Sequence, residues 1–184
     1  VTGVQTCALP ICKTFRGELG QFFTPRKIVE FMVQVLDPQE GELICDPCCG
    51  SGGFLINAFE HVRDAIMADG KGNEAARVKK LASKCVFGVD ANPRMARTAK
   101  MNMMMHGDGH SGVHHHDGFL NVNGIFENRF HVILTNPPFG SKVSKKLMIA
   151  ESDKFTDAVK IKEYTKEYGE RYRKAMAQVE SNID

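Results

Sequence analysis

The 184-residue sequence has no apolar run near the roughly 18 residues needed to span a bilayer. No basic start leading into an apolar core marks a signal peptide either. Both absences point to a cytoplasmic protein with no membrane partner. Charge of one sign is scarce too: 24 Lys and Arg stand against 22 Asp and Glu, for a net charge of +2. That excess permits nucleic acid as a partner without arguing for it. Among six cysteines, Cys45 and Cys48 form one C-x-x-C with Cys49 adjacent, and no second pair follows at zinc spacing. Cys7 and Cys12 do not complete one, and His114, His115 and His116 would serve as ligands only if folding brought them close. Small buried cysteines and no metal are therefore expected. What remains is 42% apolar and 25% charged residues, the composition of an ordinary globular domain with a real core.

The opening "VTGVQTCALPIC" has no clear period and resembles a translated sequencing-adapter artefact, so residues 1–12 are expected to be non-native. Residues 13–150 read as the core and 151–184 as a charged helical segment. Thr24-Pro25 predicts a helix start with Thr24 as N-cap, and Ile28, Val29, Met32, Val35 and Leu36 supply one apolar face up to Asp37-Pro38. Leu43 to Asp46 predicts a short strand, and Phe54, Leu55, Ala58, Phe59 and Val62 mark the helix after it. "GKGNEAARVKKLAS" reads as a charged surface connection. Cys85 to Asp90 predicts a second strand, Asn92-Pro93 caps a helix to about Met105, and Val113 to His116 predicts a third short strand. Phe130 to Thr135 is the clearest strand of all. Strands alternating with helices imply a parallel α/β sheet. The tail "KIKEYTKEYGERYRKAMAQVE" reads as solvated helix.

Two glycine-loop chemistries are missing from "DPCCGSGGF", which joins the first strand to its helix. A phosphate-binding loop needs Gly-Lys-Ser/Thr, and here Phe54 follows Gly53. The dinucleotide spacing G-x-G-x-x-G is absent as well, which disfavours a nicotinamide enzyme. Gly50, Gly52 and Gly53 still allow close backbone approach to a ligand. Asp46, immediately before the loop, would repel a pyrophosphate and suits a positively charged group. Asp90, ending the second strand in "GVDANP", is placed for a ribose diol, or else is a helix-entry acid beside Asn92.

"ILTNPPFGS" (133–141) ends an apolar run with an amide, two prolines and an aromatic ring. Prolines cannot continue a central strand. Either the strand simply stops, with Phe139 plugging the core, or Asn136 and Phe139 are held to grip something flat.

Together these segments resemble S-adenosylmethionine-dependent adenine-N6 DNA methyltransferases, most closely the modification subunit of type I restriction–modification systems. "GQFFTPRKIVEFM" is similar to that family's first cofactor segment and "DPCCGSGGF" to its glycine loop. "GVDANP" resembles its ribose-binding acid, "HHHDGF" its adenine-contacting acid and "NPPF" its catalytic motif, in the family's order over roughly residues 17–141. Cys48 and Cys49 depart from it, standing where small residues such as alanine are common.

The resemblance implies a Rossmann-like methyltransferase core truncated to about four of seven strands, with a helical C-terminal tail and later strands beyond Asp184. It implies S-adenosyl-L-methionine as cofactor. Gln21, Phe22, Phe23, Thr24, Pro25 and Arg26 would contact its methionine end, with Asp46 near the amino group and Gly50, Ser51, Gly52 and Gly53 lining the loop. Asp90 would hold the ribose, and Asp117 the adenine amino group unless it is only the acid of an Asp-Gly turn. Asn136, Pro137, Pro138 and Phe139 would form the catalytic motif. Its target would be an adenine flipped out of double-stranded DNA. Asn136 and the Pro137 carbonyl would accept hydrogen bonds from the exocyclic amino group, and Phe139 would stack on the base for on the order of 1–3 kcal/mol. Neither a metal nor a covalent intermediate is called for. Partners would be the specificity and restriction subunits. Lys142, Lys145 and Lys146 would meet phosphate or stand as solvated surface. The same acceptors suit a glutamine amide of protein or an RNA base, and a fragment that binds cofactor without catalysis is a further alternative.

Overall fold

The computed structural model describes residues 23–107, 112–118, 125, 129–138 and 156–181. Among the described residues four strands form one parallel sheet: β1 (Ile44–Asp46), β2 (Val86–Asp90), β3 (Val113–His115) and β4 (Val132–Ile133), in the spatial order β3-β2-β1-β4. The chain steps outward from β1 to β3 and then returns to the other side of β1. That reversal opens a crevice at the carboxyl ends of β1 and β4, where ligands bind in open sheets of this kind. The α/β parallel architecture is the one expected.

Strand alternation assigns two faces. Ile44, Val86, Val113 and Val132 join a core with α1 (Arg26–Leu36), α2 (Gly53–Ala68), α3 (Glu74–Lys84) and α4 (Pro93–Met105). Within it Leu55, Ala58, Phe59 and Val62 of α2 are almost fully buried. Gly88 of β2 is required there, because an added Cβ would collide with the Leu55 side chain. Cys45, Phe87 and Val89 point to the opposite face, with Ile125 and Phe130. Asn92 caps α4 as expected, its Oδ1 accepting from Arg94 N at 2.9 Å with Pro93 in the first turn. Among the described residues no helix is long and apolar enough to cross a membrane.

Several expectations need correction. Pro25, not Thr24, occupies the cap position of α1, and no side chain caps it. The buried face of α1 runs through Val29 and Val33, which pack on the core, while Ile28, Val35 and Leu36 are exposed. "GKGNEAARVKKLAS" is no mere connection. Its larger part is helix α3, held by the few apolar groups Val78, Leu81 and Ala82. Arg77 fastens it to Glu40 and Asp69. Among the described residues, the segment expected as the clearest strand pairs only over Val132–Ile133, with β1 as its partner. Extended backbone runs on, with Leu134 N donating to Cys45 O at 3.0 Å.

The tail is two helices, α5 (Ala158–Tyr168) and α6 (Glu170–Ser181), separated by Gly169 at φ 54°. It is not wholly solvated: Tyr164, Tyr172 and Ala175 bury one another.

Candidate active site

The crevice is built from the ends of β1, β2 and β4 and the turns that follow. Asp46 closes β1 with only 1% of its surface exposed. One carboxylate oxygen accepts from Cys48 N at 3.0 Å, an Asx turn that starts the glycine loop. Burial pushes the Asp46 carboxyl up to about 7, against the opposing pull of the Cys48 N–H and the nearby Thr135 side chain, with Asp90 adding a further rise. The Thr135 hydroxyl is itself buried and has no hydrogen bond of ordinary length. Asp46 is thus a buried carboxyl whose charged form is under-compensated, with the Thr135 side chain beside it.

The loop after Asp46 is fastened from both sides. Cys49 N donates to Val89 O at 2.8 Å, and Gly50 N donates to Asp90 Oδ2 at 2.8 Å. Ser51 O accepts from Asn102 Nδ2 of α4 at 2.9 Å. Gly50 and Gly52 take φ values of 54° and 88°, which a side chain would strain, and Gly52 lies against Ala99. Gly53 opens α2 in ordinary helical geometry, so the helix N-terminus faces the crevice.

Asp90 Oδ1 accepts from Asn92 N at 2.8 Å while Oδ2 holds Gly50. The carboxylate therefore serves as the helix-entry acid and as a strut for the loop. Burial raises its pKa against those two donors. Asp117, just past β3, donates its backbone N–H to His116 Nδ1 at 2.8 Å. Its neighbour Gly118 touches the loop directly: an added Cβ would fall on the Pro47 carbonyl. The Cys48 thiol records the convergence. Burial pushes it up to about 11, and Asp46, Asp90 and Asp117 all add to the rise.

Beyond β4 the chain carries Thr135 and Asn136 into the mouth of the crevice, half-buried, with Pro137 and Pro138 exposed. Asn136 Nδ2 donates to Thr24 Oγ1 at 3.0 Å across 112 residues of sequence. Thr24 is half-buried, and Phe23, Pro25 and Arg26 are exposed beside it. Gln21, Phe22, Phe139 and the Lys142, Lys145 and Lys146 group lie outside the described residues, as do residues 1–12.

The histidine run straddles the sheet surface, with His114 and His116 half-buried and His115 exposed. Burial holds His114 down at about 4, on the sheet face of Phe87 and Val89, and His115 Nε2 lies 3.1 Å from Ala91 O. Cys45, Cys49 and Cys85 are buried free thiols. Among the described residues no group of three or more His, Cys, Asp and Glu is placed to hold a metal ion. Thr135, Asn102 and Gly118 were missed by sequence reasoning. Asn102 carries no local signal, whereas Thr135 and Gly118 adjoin residues already singled out.

The family model for N-6 DNA Methylase matches residues 11–172. The chain is similar to the type I restriction enzyme EcoEI methylase subunit of Escherichia coli, at 37% identity over 125 residues, 67% of this chain and 24% of that protein. It is also similar to the type I restriction enzyme MjaIX methylase subunit of Methanocaldococcus jannaschii, at 32% identity over 67% of this chain and 20% of that protein. Among solved structures, the type I restriction enzyme EcoKI M protein superposes with a TM-score of 0.56 at 27% identity, covering 70% of this chain and 27% of that one. The chain therefore spans about a quarter of the length of the curated relatives it matches.

Proposed function

We propose, for a chain that belongs to the N-6 DNA methylase family, that the whole protein transfers a methyl group from S-adenosylmethionine to the N6 amino group of adenine in double-stranded DNA. It would act in the cytoplasm as the modification subunit of a type I restriction–modification system, with specificity and restriction subunits as partners. The observation that carries this reading is the crevice itself. Three carboxylates and a glycine loop line it on one side, and the Asn136-Pro137 turn stands at its mouth.

The residues present fit the cofactor. Asp46 is a buried carboxylate with no counter-ion among the described residues, suited to an ammonium group. Thr135 supplies a buried hydroxyl beside it. Gly50 and Gly52 leave a surface without side chains, and Phe23, Pro25 and Arg26 flank the methionine end. Asp90, already rigid, would hold the ribose hydroxyls with its remaining lone pairs, and Asp117 would accept from the cofactor's adenine amino group. When bound, the cofactor supplies an electrophilic methyl group on a sulfonium.

The chain's own part is to make a poor nucleophile competent. The exocyclic amino nitrogen of adenine has its lone pair delocalised into the ring. Asn136 Oδ1 and the Pro137 carbonyl would accept its two N–H groups and so favour charge on nitrogen during attack. Pro137 and Pro138 have fixed φ, so the acceptors are ordered before the base arrives. Phe139 would offer its ring to the flipped base. Asn136→Ala in the whole protein is expected to lower transfer to an adenine-containing duplex by about 100-fold. Cofactor affinity by calorimetry should stay within about twofold, because Asn136 touches the target and not the cofactor. Transfer persisting at a near-normal rate would overturn the reading.

A further inference from the structure

Thr24 precedes a proline and a helix, the position from which a threonine normally caps. Here the helix begins one residue later, Pro25 takes the cap position, and no side chain caps α1. The hydroxyl is left for another use, and Asn136 Nδ2 donates to it at 3.0 Å. Both residues are half-buried, and the contact joins the start of α1 to the end of β4.

A primary amide has two ends of opposite character and a soft terminal torsion, so a packed asparagine can present either one. An acceptor for an incoming amino group must show its oxygen. Turned over, Asn136 would meet that amino group with its own N–H groups, donor against donor. In the orientation the structure shows, the Thr24 hydroxyl accepts from Nδ2, which ties the amide to the start of α1 and leaves Oδ1 turned away from that contact. We propose that Thr24 is a positioning residue for Asn136, holding the side-chain amide with Oδ1 free for the target amino group. The proposal rests on the reading of Asn136 as that group's acceptor. One neutral hydrogen bond favours the tethered over the released side chain by roughly two- to tenfold, and that sets the size of the effect.

Thr24→Val keeps shape and removes the hydroxyl, and Thr24→Ser restores it. In the whole protein, Thr24→Val is expected to lower kcat by up to about tenfold, and Thr24→Ser to recover within about twofold of the parent. A second readout does not depend on turnover. In protein carrying isotope-labelled asparagine, the Asn136 side-chain amide is the pair of NMR signals missing from Asn136→Ala. Those signals should move upfield and exchange faster with solvent in Thr24→Val, and return in Thr24→Ser. Unchanged amide signals in Thr24→Val, or a kcat equal to the parent's, would overturn the proposal. If Asn136→Ala left transfer intact, the functional reading would fall and the proposal with it. The amide signals would still show whether the Thr24 contact exists, so the two failures are distinguishable.

Discussion

Asp46 sits where fold stability and ligand binding pull in opposite directions. Its carboxyl has an ordinary value of 3.8, and burial at the end of β1 lifts it to about 7. Between those values the folded chain holds a proton that the unfolded chain has released. The stability that Asp46 contributes is therefore fully present below about pH 4, lost as pH rises to about 7, and flat above. Over that interval the loss is on the order of a few kcal/mol. Asp46→Asn removes the titration and keeps the Cys48 N–H partnered. The variant should out-melt its parent by a margin that grows from about pH 4 to about pH 7 and then stays constant. Thermal unfolding of the pair across that range checks this, and a margin independent of pH would refute it. The same variant should lose affinity for the cofactor, since it has no charge to offer an ammonium group. In the parent, cofactor affinity should weaken by up to about tenfold per unit as pH falls below about 7. Calorimetry across the same range reads that slope.

Elements were legible where their signals are local. Asn92-Pro93 announced α4 because cap and first turn are adjacent in sequence, and the acids ending β1 and β2 stood out because loop and strand adjoin. Helix α3 was hidden because only Val78, Leu81 and Ala82 face the core, and Arg77 pairs outside the helix, with Asp69 and the more distant Glu40. The face of α1 was misread because apolar residues line both of its sides, and only the packed core decides which side is covered. Thr24 looked like a cap because its true partner lies at Asn136. The site shows the same division: the motif residues could be read, but their mutual support could not. Gly118 is the clearest case, since its need for a missing side chain comes from Pro47, in a different loop. Gly118→Ala should push the segment carrying Asp117 off the glycine loop and cost about 1–3 kcal/mol in denaturant unfolding. Gly53→Ala, with ordinary φ and open space at the Cβ, should be neutral or slightly stabilising. Equal effects at the two positions would show that the loops are not in contact.

At the scale of the whole molecule, the two faces of the sheet are held by different means. One is a continuous apolar core under α2, α3 and α4. The other, among the described residues, centres on Arg129. The Arg129 guanidinium, 8% exposed, lies 4.5 Å from the Phe87 ring centroid, 5.4 Å from Phe130, 4.8 Å from Tyr164 and 6.0 Å from Tyr168. It therefore joins β2 to α5, and a desolvated contact of this kind is worth about 2 kcal/mol. The sequence offers a direct probe. It has no Trp, and its three Tyr all lie in α5 and α6, so ultraviolet fluorescence of the chain reports mainly on those helices. In the parent, the fluorescence and far-ultraviolet circular dichroism transitions should coincide as denaturant is added, because Arg129 couples the helices to the sheet. Arg129→Ala should move the fluorescence midpoint well below the dichroism midpoint. Arg129→Lys should separate them less, since an ammonium keeps the charge but not the planar stacking. Coincident transitions in Arg129→Ala would mean that the helices are held to the sheet by contacts other than this cation.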